Sequence, residues 1–421
     1  MERYQEEAVR AISDLVRTDS SLAKGTPEMP FGEGAAKCLA DFLALAAGMG
    51  FETHNYDNYA GEVIFGEGEP FAVLCHLDVV PAGDGWTHEP FGGEVSEGRI
   101  WGRGTTDDKG PAVCALYALK ALKDEGFVPK KKIKLIVGCN EECGWQCIEH
   151  YKECADLPEA GFSPDADFPV IYAEKGILQV RLHFDFDRAP FLYMQGGSAP
   201  NMVCGRCEVL PRSIQASRAE NCGLTTRGKK LVSVGKSAHA STPELGVNAM
   251  LPILRYFERD AGIRRVIDCL FNDVCGLTAL KDETGSLTMS PNMVKFRKSQ
   301  LQVVVDIRYP ASIPYEDVVA ALGKMGAPYE TLNHQPPLYH GKDSALVRTL
   351  SEVFEECTGQ KAEPIAIGGG TYARALKNGV GFGPEFPGDE PVAHQPDEYL
   401  PVERVGLLIE IYKKALERIA G

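Results

Sequence analysis

Two short apolar runs constrain this chain more than any other feature: FAVLCHLDVV at residues 71–80 and KIKLIVGCNEE at residues 132–142, apolar from Ile133 to Cys139 apart from one lysine. Each is bounded by turn residues, which predicts strands buried on both faces. Between them, GPAVCALYALKALKDEG predicts a helix from Pro111 to Glu125, closed by Gly126. Strand, long crossover and strand is the pattern of a parallel sheet with helices on its faces. Ligands of such sheets bind just beyond the carboxyl ends of the strands. His76, Asp78, Glu141 and Glu142 sit at those ends.

The flanking segments fill out an α/β fold. Ala8, Val9, Ile12, Leu15 and Val16 fall at the three- and four-residue spacing of an amphipathic helix. A second helix runs from Ala35 to Ala47, with Gly48 and Gly50 as its left-handed stop. From Leu178 to Gln335 the texture changes to alternating strands (LQVRLHFDF, then LQVVVDIRYP with Leu301, Val303, Val305 and Ile307 on one face) with helices such as Asn248–Glu258 between them. The α/β texture returns with a helix from Ser344 to Cys357, a glycine-rich IGGGTYAR turn and a helix from Val402 to Ile419. The expectation is a mostly parallel, helix-flanked catalytic domain over residues 1–177 and 336–421, interrupted by an inserted α+β lid domain over residues 178–335.

Composition excludes several classes of function. A net charge of −15 repels phosphate backbones and anionic lipid, so neither nucleic acid nor a membrane surface is an expected partner. No apolar run reaches the roughly 18 residues of a membrane span. The opening MERYQEEAVRAISDLVR carries Glu2, Glu6 and Glu7 and does not read as a signal peptide. Thirteen cysteines, odd in number and scattered, read as reduced thiols of a cytoplasmic chain. Cys75, Cys114 and Cys139 lie in apolar runs and read as inert core.

The chemistry-bearing residues gather where the strands end. Residues two apart on a strand point the same way, so His76 and Asp78 are expected neighbours. GRGTTDDKG places Asp107 and Asp108 in a glycine loop ahead of a helix, where the plain alternative is that they are helix-start acids. Glu141 and Glu142 stand side by side at a strand end and repel each other unless a cation or shared proton relieves them. SPDADFP supplies Asp165 and Asp167, and VAHQPDEY supplies His394. Each has a plain explanation alone. Together they form a nitrogen- and oxygen-donor set suited to zinc or manganese, with enough carboxylates for two ions sharing a bridge.

HLDVVP, GRGTTDDKG, CNEECG, SPDADFPVIYAEKG, GKSAHASTP, VDIRYP, GGGTYAR and VAHQPDE occur in the order seen in the dinuclear zinc metallopeptidase superfamily of aminoacylases, desuccinylases and peptidase V. The chain most resembles the peptidase V-type cytoplasmic dipeptidases over most of its length. The resemblance implies two divalent ions, zinc first, with manganese or cobalt as alternatives. It implies His76, Asp107 and Asp165 on one ion, and Asp107, Glu142 and His394 on the other, with Asp107 as the bridge. Asp78 would hold the His76 ring in its tautomer, and a cis peptide would join Asp107 to Asp108. Glu141 would be the general base, acting on a metal-bridged hydroxide that attacks the amide.

The resemblance further implies that His239, of GKSAH, donates to the tetrahedral oxyanion, and that Asn201 and Arg308 hold the substrate's backbone and carboxylate. Arg374, after GGGTY, is a rival for the carboxylate. An aspartate at position 165 goes with family members acting near a free amine, which implies a dipeptidase. The alternatives are an N-acyl-amino-acid amidohydrolase of aminoacylase or desuccinylase type, and a non-catalytic protein on the same fold. The expected substrate is a small peptide and the favoured state a monomer, with a homodimer as the alternative. His54, His88, His150, His183, His334 and His340 match no motif and receive no role.

Overall fold

The computed structural model describes residues 2–421. The chain divides into two compact units: the first is the chain up to Tyr172 with His340–Ile365 and Thr371–Gly421, the second Ala173–Tyr339 with Ala366–Gly370. The boundaries at 173 and 339 lie outside the expected 178 and 335 because the flanking segments are paired. Ala173 and Glu174 form a ladder with Tyr339 and Leu338. Ala366–Gly370 groups with the second unit, tied to it where Lys175 N–H donates to the Ile367 carbonyl at 3.0 Å. Among the described residues, no helix is long and apolar enough to cross a membrane.

The first unit opens with helices α1 (Glu2–Val16) and α2 (Glu33–Gly48), then strands β1 (Glu52–Tyr56), β2 (Ala60–Phe65) and β3 (Glu69–His76). Helix α3 (Lys109–Asp124) leads to β4 (Lys131–Gly138), α4 (Gln146–Cys154), β5 (Ala160–Ser163) and β6 (Ile171–Glu174), of which Ile171 and Tyr172 belong to this unit. Helix α5 (Ala345–Thr358), strand β7 (Asn378–Gly381) and helix α6 (Val402–Ala420) complete it. The sheet runs β1-β2-β4-β3-β5-β7-β6. Its centre, β4-β3-β5-β7, is parallel, while β1, β2 and β6 pair antiparallel at the flanks. The continuous apolar run of β3 is explained by burial: Phe71 to His76 are all buried. Helix α3 packs on β3 and β4 and against α1 and α6, while α2 covers β1 and β2.

Several ends differ from the sequence expectation, each for a local reason. Strand β3 stops at His76 rather than Val80, because its partner β4 stops at Gly138 and the Leu77 carbonyl turns away to accept from Ser20 Oγ at 2.6 Å. The acidic pair Glu141–Glu142 therefore lies in a turn beyond β4, not on the strand. Helix α3 starts at Lys109, with Pro111 tolerated in its first turn. Gly48 is the last residue of α2, so the left-handed stop belongs to Gly50 alone, at φ 77°. The helix expected over 248–258 is trimmed to Met250–Tyr256, since Asn248 Oδ1 accepts the Met250 N–H ahead of it.

The second unit is built on an eight-stranded antiparallel sheet, with Gly176–Asp185 and Gln300–Tyr309 paired along ten residues. Leu301, Val303, Val305 and Ile307 are fully buried in its core, together with the helix Ala261–Leu270. All thirteen cysteines of the chain are free thiols. Burial pushes the Cys75, Cys114 and Cys139 thiols up, which fits their reading as core.

Leu74→Ala tests whether β3 carries the stability its burial implies. Leu74 is fully buried, so truncation should cost about 2–5 kcal/mol. Val128, 82 % exposed, should cost under about 0.5 kcal/mol when changed to alanine. Urea unfolding of the two variants measures the contrast, and equal losses would contradict this account of the core.

Candidate metal centre

Strand β3 delivers His76, fully buried, to the end of the sheet. Its Nδ1 lies 2.9 Å from the Asp78 carbonyl oxygen. A carbonyl only accepts, so Nδ1 carries the ring proton and, in the neutral ring, Nε2 presents a lone pair. That lone pair meets Asp107 Oδ1 at 2.9 Å and Asp165 Oδ2 at 3.8 Å. His76 Nε2 and Asp107 Oδ1 are both buried without a hydrogen-bond partner. With the ring neutral, two acceptors face each other there, and a cation would join them.

The other oxygen of Asp107 repeats the arrangement. Oδ2 lies 2.9 Å from His394 Nε2, and the same nitrogen is 2.9 Å from Glu142 Oε1. Each oxygen of Asp107 thus faces a different histidine. The donor atoms of His76, Asp107 and Glu142 all fall within 4.8 Å of one another, as do those of His76, Glu141 and Asp165. Of the residues singled out in the sequence, the structure gathers His76, Asp78, Asp107, Glu141, Glu142, Asp165 and His394 at this one place. The peptide from Asp107 to Asp108 is cis. Asp167 turns aside instead and pairs with Glu385, whose carboxyl is pushed up to about 7 by burial and then by Asp167.

The electrostatics show a cluster short of positive charge. Burial opposes charging of His76, yet Asp107, Asp165 and Asp78 together outweigh it and push its pKa well up. His394 is pushed up to about 11 by its bonds to Asp107 and Glu142. Burial raises Asp107, but His394 and His76 win and hold it well below the carboxylate range. Asp165 rises to about 6 through burial and then the Asp107 charge, and Glu141 rises through burial and then Asp165. The all-nitrogen-and-oxygen donor set fits a divalent metal ion.

The loops that carry these groups are held by carboxylates bonded to backbone. Asp78 does meet the His76 ring, but through its main-chain carbonyl; its carboxylate is 3.6 Å from Nδ1. The Asp78 carboxylate instead accepts the Glu141 and Glu142 N–H groups at 3.0 and 3.1 Å. Trp145 Nε1 donates to Glu141 Oε1 at 3.1 Å. Fully buried Glu398 accepts the N–H groups of Gly104, Thr106 and Asp107 at 3.0, 3.0 and 3.2 Å, and Arg103 at 2.6 Å. Sequence reading missed Trp145, Arg103 and Glu398, although Glu398 stands four residues after His394 inside a motif it had marked.

Asn201, His239 and Arg308 belong to the second unit. Asn201 and His239 are neighbours there: Met202 bridges His239, and the Ala240 N–H donates to the Asn201 carbonyl at 2.9 Å. The Ser241 N–H donates to His239 Nδ1 at 3.2 Å, which places the proton of the neutral ring on Nε2. Arg308 is buried and clamped by Asp306, Nε to Oδ1 at 2.6 Å and Nη2 to Oδ2 at 3.1 Å, with Nη1 on the Gly368 carbonyl at 3.2 Å. Arg374 lies half-buried in the first unit, on the turn Tyr372–Ala375.

Comparison with known proteins gives a consistent picture. The model of Peptidase family M20/M25/M40 matches residues 72–418. The chain is 36 % identical to the putative dipeptidase YtjP of Bacillus subtilis (strain 168), over 99 % of this chain and 98 % of that one. It is 31 % identical to the Beta-Ala-Xaa dipeptidase of Lactobacillus delbrueckii subsp. lactis, over 99 % of this chain and 96 % of that one. The solved structure of aminopeptidase PepT from Bacillus cereus ATCC 10987 shares the fold, with a TM-score of 0.61 at 16 % identity over 99 % of both chains.

The anchoring by Glu398 generates a test. Glu398→Ala strips the Asp107 loop of its acceptor and leaves three N–H groups and Arg103 without their carboxylate. Removing such a supporting partner should weaken metal retention by about 10–100-fold while the chain stays folded. Metal content after dialysis against graded chelator measures it, and wild-type retention would contradict the anchoring role.

Proposed function

This chain belongs to peptidase family M20/M25/M40, and from that membership we propose that it is a metal-dependent dipeptidase. The observation that carries the reading is Asp107, whose two oxygens each stand 2.9 Å from a different histidine nitrogen. The relatives named as dipeptidases, aligned over nearly the whole chain, support peptide rather than N-acyl substrates. His76, Asp107 and Asp165 would hold one divalent ion and Asp107, Glu142 and His394 the other, with zinc the best match to the donors. When bound, such ions supply Lewis-acid activation of a water and of the scissile carbonyl.

The remaining work falls to the chain's own side chains. Glu141 takes the proton of the attacking water and passes it to the leaving amide nitrogen. Its raised pKa suits a group that must both accept and return a proton. The Trp145 indole on Oε1 fixes the carboxylate's orientation and leaves Oε2 to the proton. His239, with its proton on Nε2, acts as a hydrogen-bond donor to the oxyanion. Asn201 and Arg308 hold the peptide backbone and terminal carboxylate, Arg308 with the N–H groups its clamp leaves over, and Arg374 is the alternative for the carboxylate. On this reading the first unit is the catalytic domain, the second its inserted lid, and the protein a cytoplasmic monomer.

Hydrolysis of a panel of dipeptides, tripeptides and N-acyl amino acids by metal-reconstituted enzyme tests the reading. Dipeptides should be cleaved fastest, and preference for N-acyl amino acids would overturn it.

Glu141→Gln should lower turnover at least about a hundredfold with both metals retained, because a base is lost and no ligand is. Near wild-type turnover would sink the assignment. Asp107→Ala should lose both ions and His394→Ala mainly one, since only Asp107 is shared. Metal analysis separates these, and equal losses would speak against the bridge.

His239→Ala should lower kcat by about 10²–10³ with metal content unchanged and KM little affected. Mixing Asp107→Ala chains with His239→Ala chains then tests the monomer. Recovery of activity on mixing would show that the histidine acts across a subunit boundary.

A further inference from the structure

His150, given no role by the sequence, sits in a second convergence of metal-ligating atoms in the first unit. The β1–β2 hairpin turns through Asp57 and Asn58, both left-handed at φ 51° and 59°, and closes with Tyr59 N–H on the Tyr56 carbonyl at 2.9 Å. This turn presents Asp57 to helix α4. His150 and Cys154 lie four residues apart on α4 and so share a face. The Tyr59 ring stacks on His150 at 4.1 Å and 25°, fixing its plane.

His150 Nε2 lies 3.0 Å from Asp57 Oδ2 and 3.5 Å from Cys154 Sγ, and the three donor atoms all fall within 4.8 Å of one another. The arrangement separates two chemistries. A Cys–His–Asp nucleophile needs the thiol on one ring nitrogen and the acid on the other, so that the acid orients the base. Here both approach the same nitrogen, so there is no relay. One position surrounded by a carboxylate oxygen, an imidazole nitrogen and a sulfur is instead the donor set of a zinc-class ion, with a coordination place left for water.

We propose that Asp57, His150 and Cys154 form a peripheral site for a zinc-class divalent cation, distinct from the metal centre at the strand ends in containing a thiolate. A cation there would tie the C-terminal end of α4 to the β1–β2 hairpin. The opposite end of α4 begins at Trp145, which holds Glu141, so the site braces the helix that follows the Glu141–Glu142 turn.

The thiolate makes the site distinguishable from the catalytic one. Enzyme whose catalytic centre has first been filled is titrated with cobalt(II). A sulfur-to-cobalt charge-transfer band should appear, because only a thiolate ligand gives one. It should vanish in Cys154→Ser, persist in Cys143→Ser, and need roughly tenfold or more cobalt in His150→Ala. Zinc should likewise slow maleimide alkylation of Cys154, read by peptide mapping, while exposed Cys143 reacts as before. Peptidase activity of the His150→Ala and Cys154→Ser enzymes with the catalytic centre filled and no further metal added confirms that they fold. No band at millimolar cobalt, a band surviving Cys154→Ser, or unprotected alkylation of Cys154 would each overturn the proposal.

Discussion

The structure turns on a crowd of acids that cannot stand together without a cation. Asp78, Asp107, Asp108, Glu141, Glu142 and Asp165 converge beyond β3 and β4, where burial raises the cost of every charge. The fold meets part of that cost through the main chain. Asp108 accepts the His76 N–H at 3.0 Å, Asp78 the Glu141 and Glu142 N–H groups, and Glu398 three N–H groups of the Asp107 loop. Loops without a ladder are thereby given one, made of carboxylate oxygens. Lys109 extends the frame, its buried ammonium donating to the Thr18 and Leu15 carbonyls at the end of α1 at 2.7 and 3.2 Å. Asp107 Oδ1, His76 Nε2 and Asp108 Oδ1 remain unmet, and the first two face each other as the atoms a metal would satisfy.

This explains what was legible in the sequence. A metal centre of the proposed kind needs particular residue types at strand ends, so His76, Asp107, Glu141, Glu142, Asp165 and His394 stand out as polar groups interrupting apolar runs and glycine turns. Their supports do not stand out. Glu398 meets Arg103 and the Asp107 loop across nearly 300 residues, and no spacing rule reaches that far. Trp145 is an aromatic residue like any other until its indole is found on Glu141. The alternation of a strand brings Asp78 to His76, but its bond to the ring comes from the carbonyl, because the carboxylate is taken by the Glu141 and Glu142 N–H groups. Helices and buried strands were legible because period and burial coincide; their ends were not, because hydrogen bonds such as Ser20 to Leu77 set them.

The second unit follows the same economy on a smaller scale. Arg308 would be costly to bury alone, and Asp306, two residues earlier on the same strand, meets its guanidinium along one edge. Gln179 Nε2 bonds the same carboxylate at 2.8 Å from the neighbouring strand, so the acid is itself fixed. A planar donor held on one side presents its other side in a set direction, which suits recognition of a carboxylate. His239 is set comparably by one backbone N–H. In both units a polar side chain of the proposed reaction takes its orientation from a neighbour close in sequence or across one ladder.

The distribution of sulfur carries the argument one step further. Cys139, Cys143 and Cys147 bracket the Glu141–Glu142 turn, and a thiolate there would compete for the same ion as the carboxylates. None belongs to either donor group at that centre. Burial raises all three thiols, so they remain protonated and poor ligands where the carboxylates are charged. Cys154, at the far end of α4, is exposed and shares its approach to His150 with Asp57. One short helix thus has the carboxylates Glu141 and Glu142 before its first turn and the nitrogen and sulfur of His150 and Cys154 at its last. What sets Cys154 apart from exposed Cys143 is its place beside His150 and Asp57.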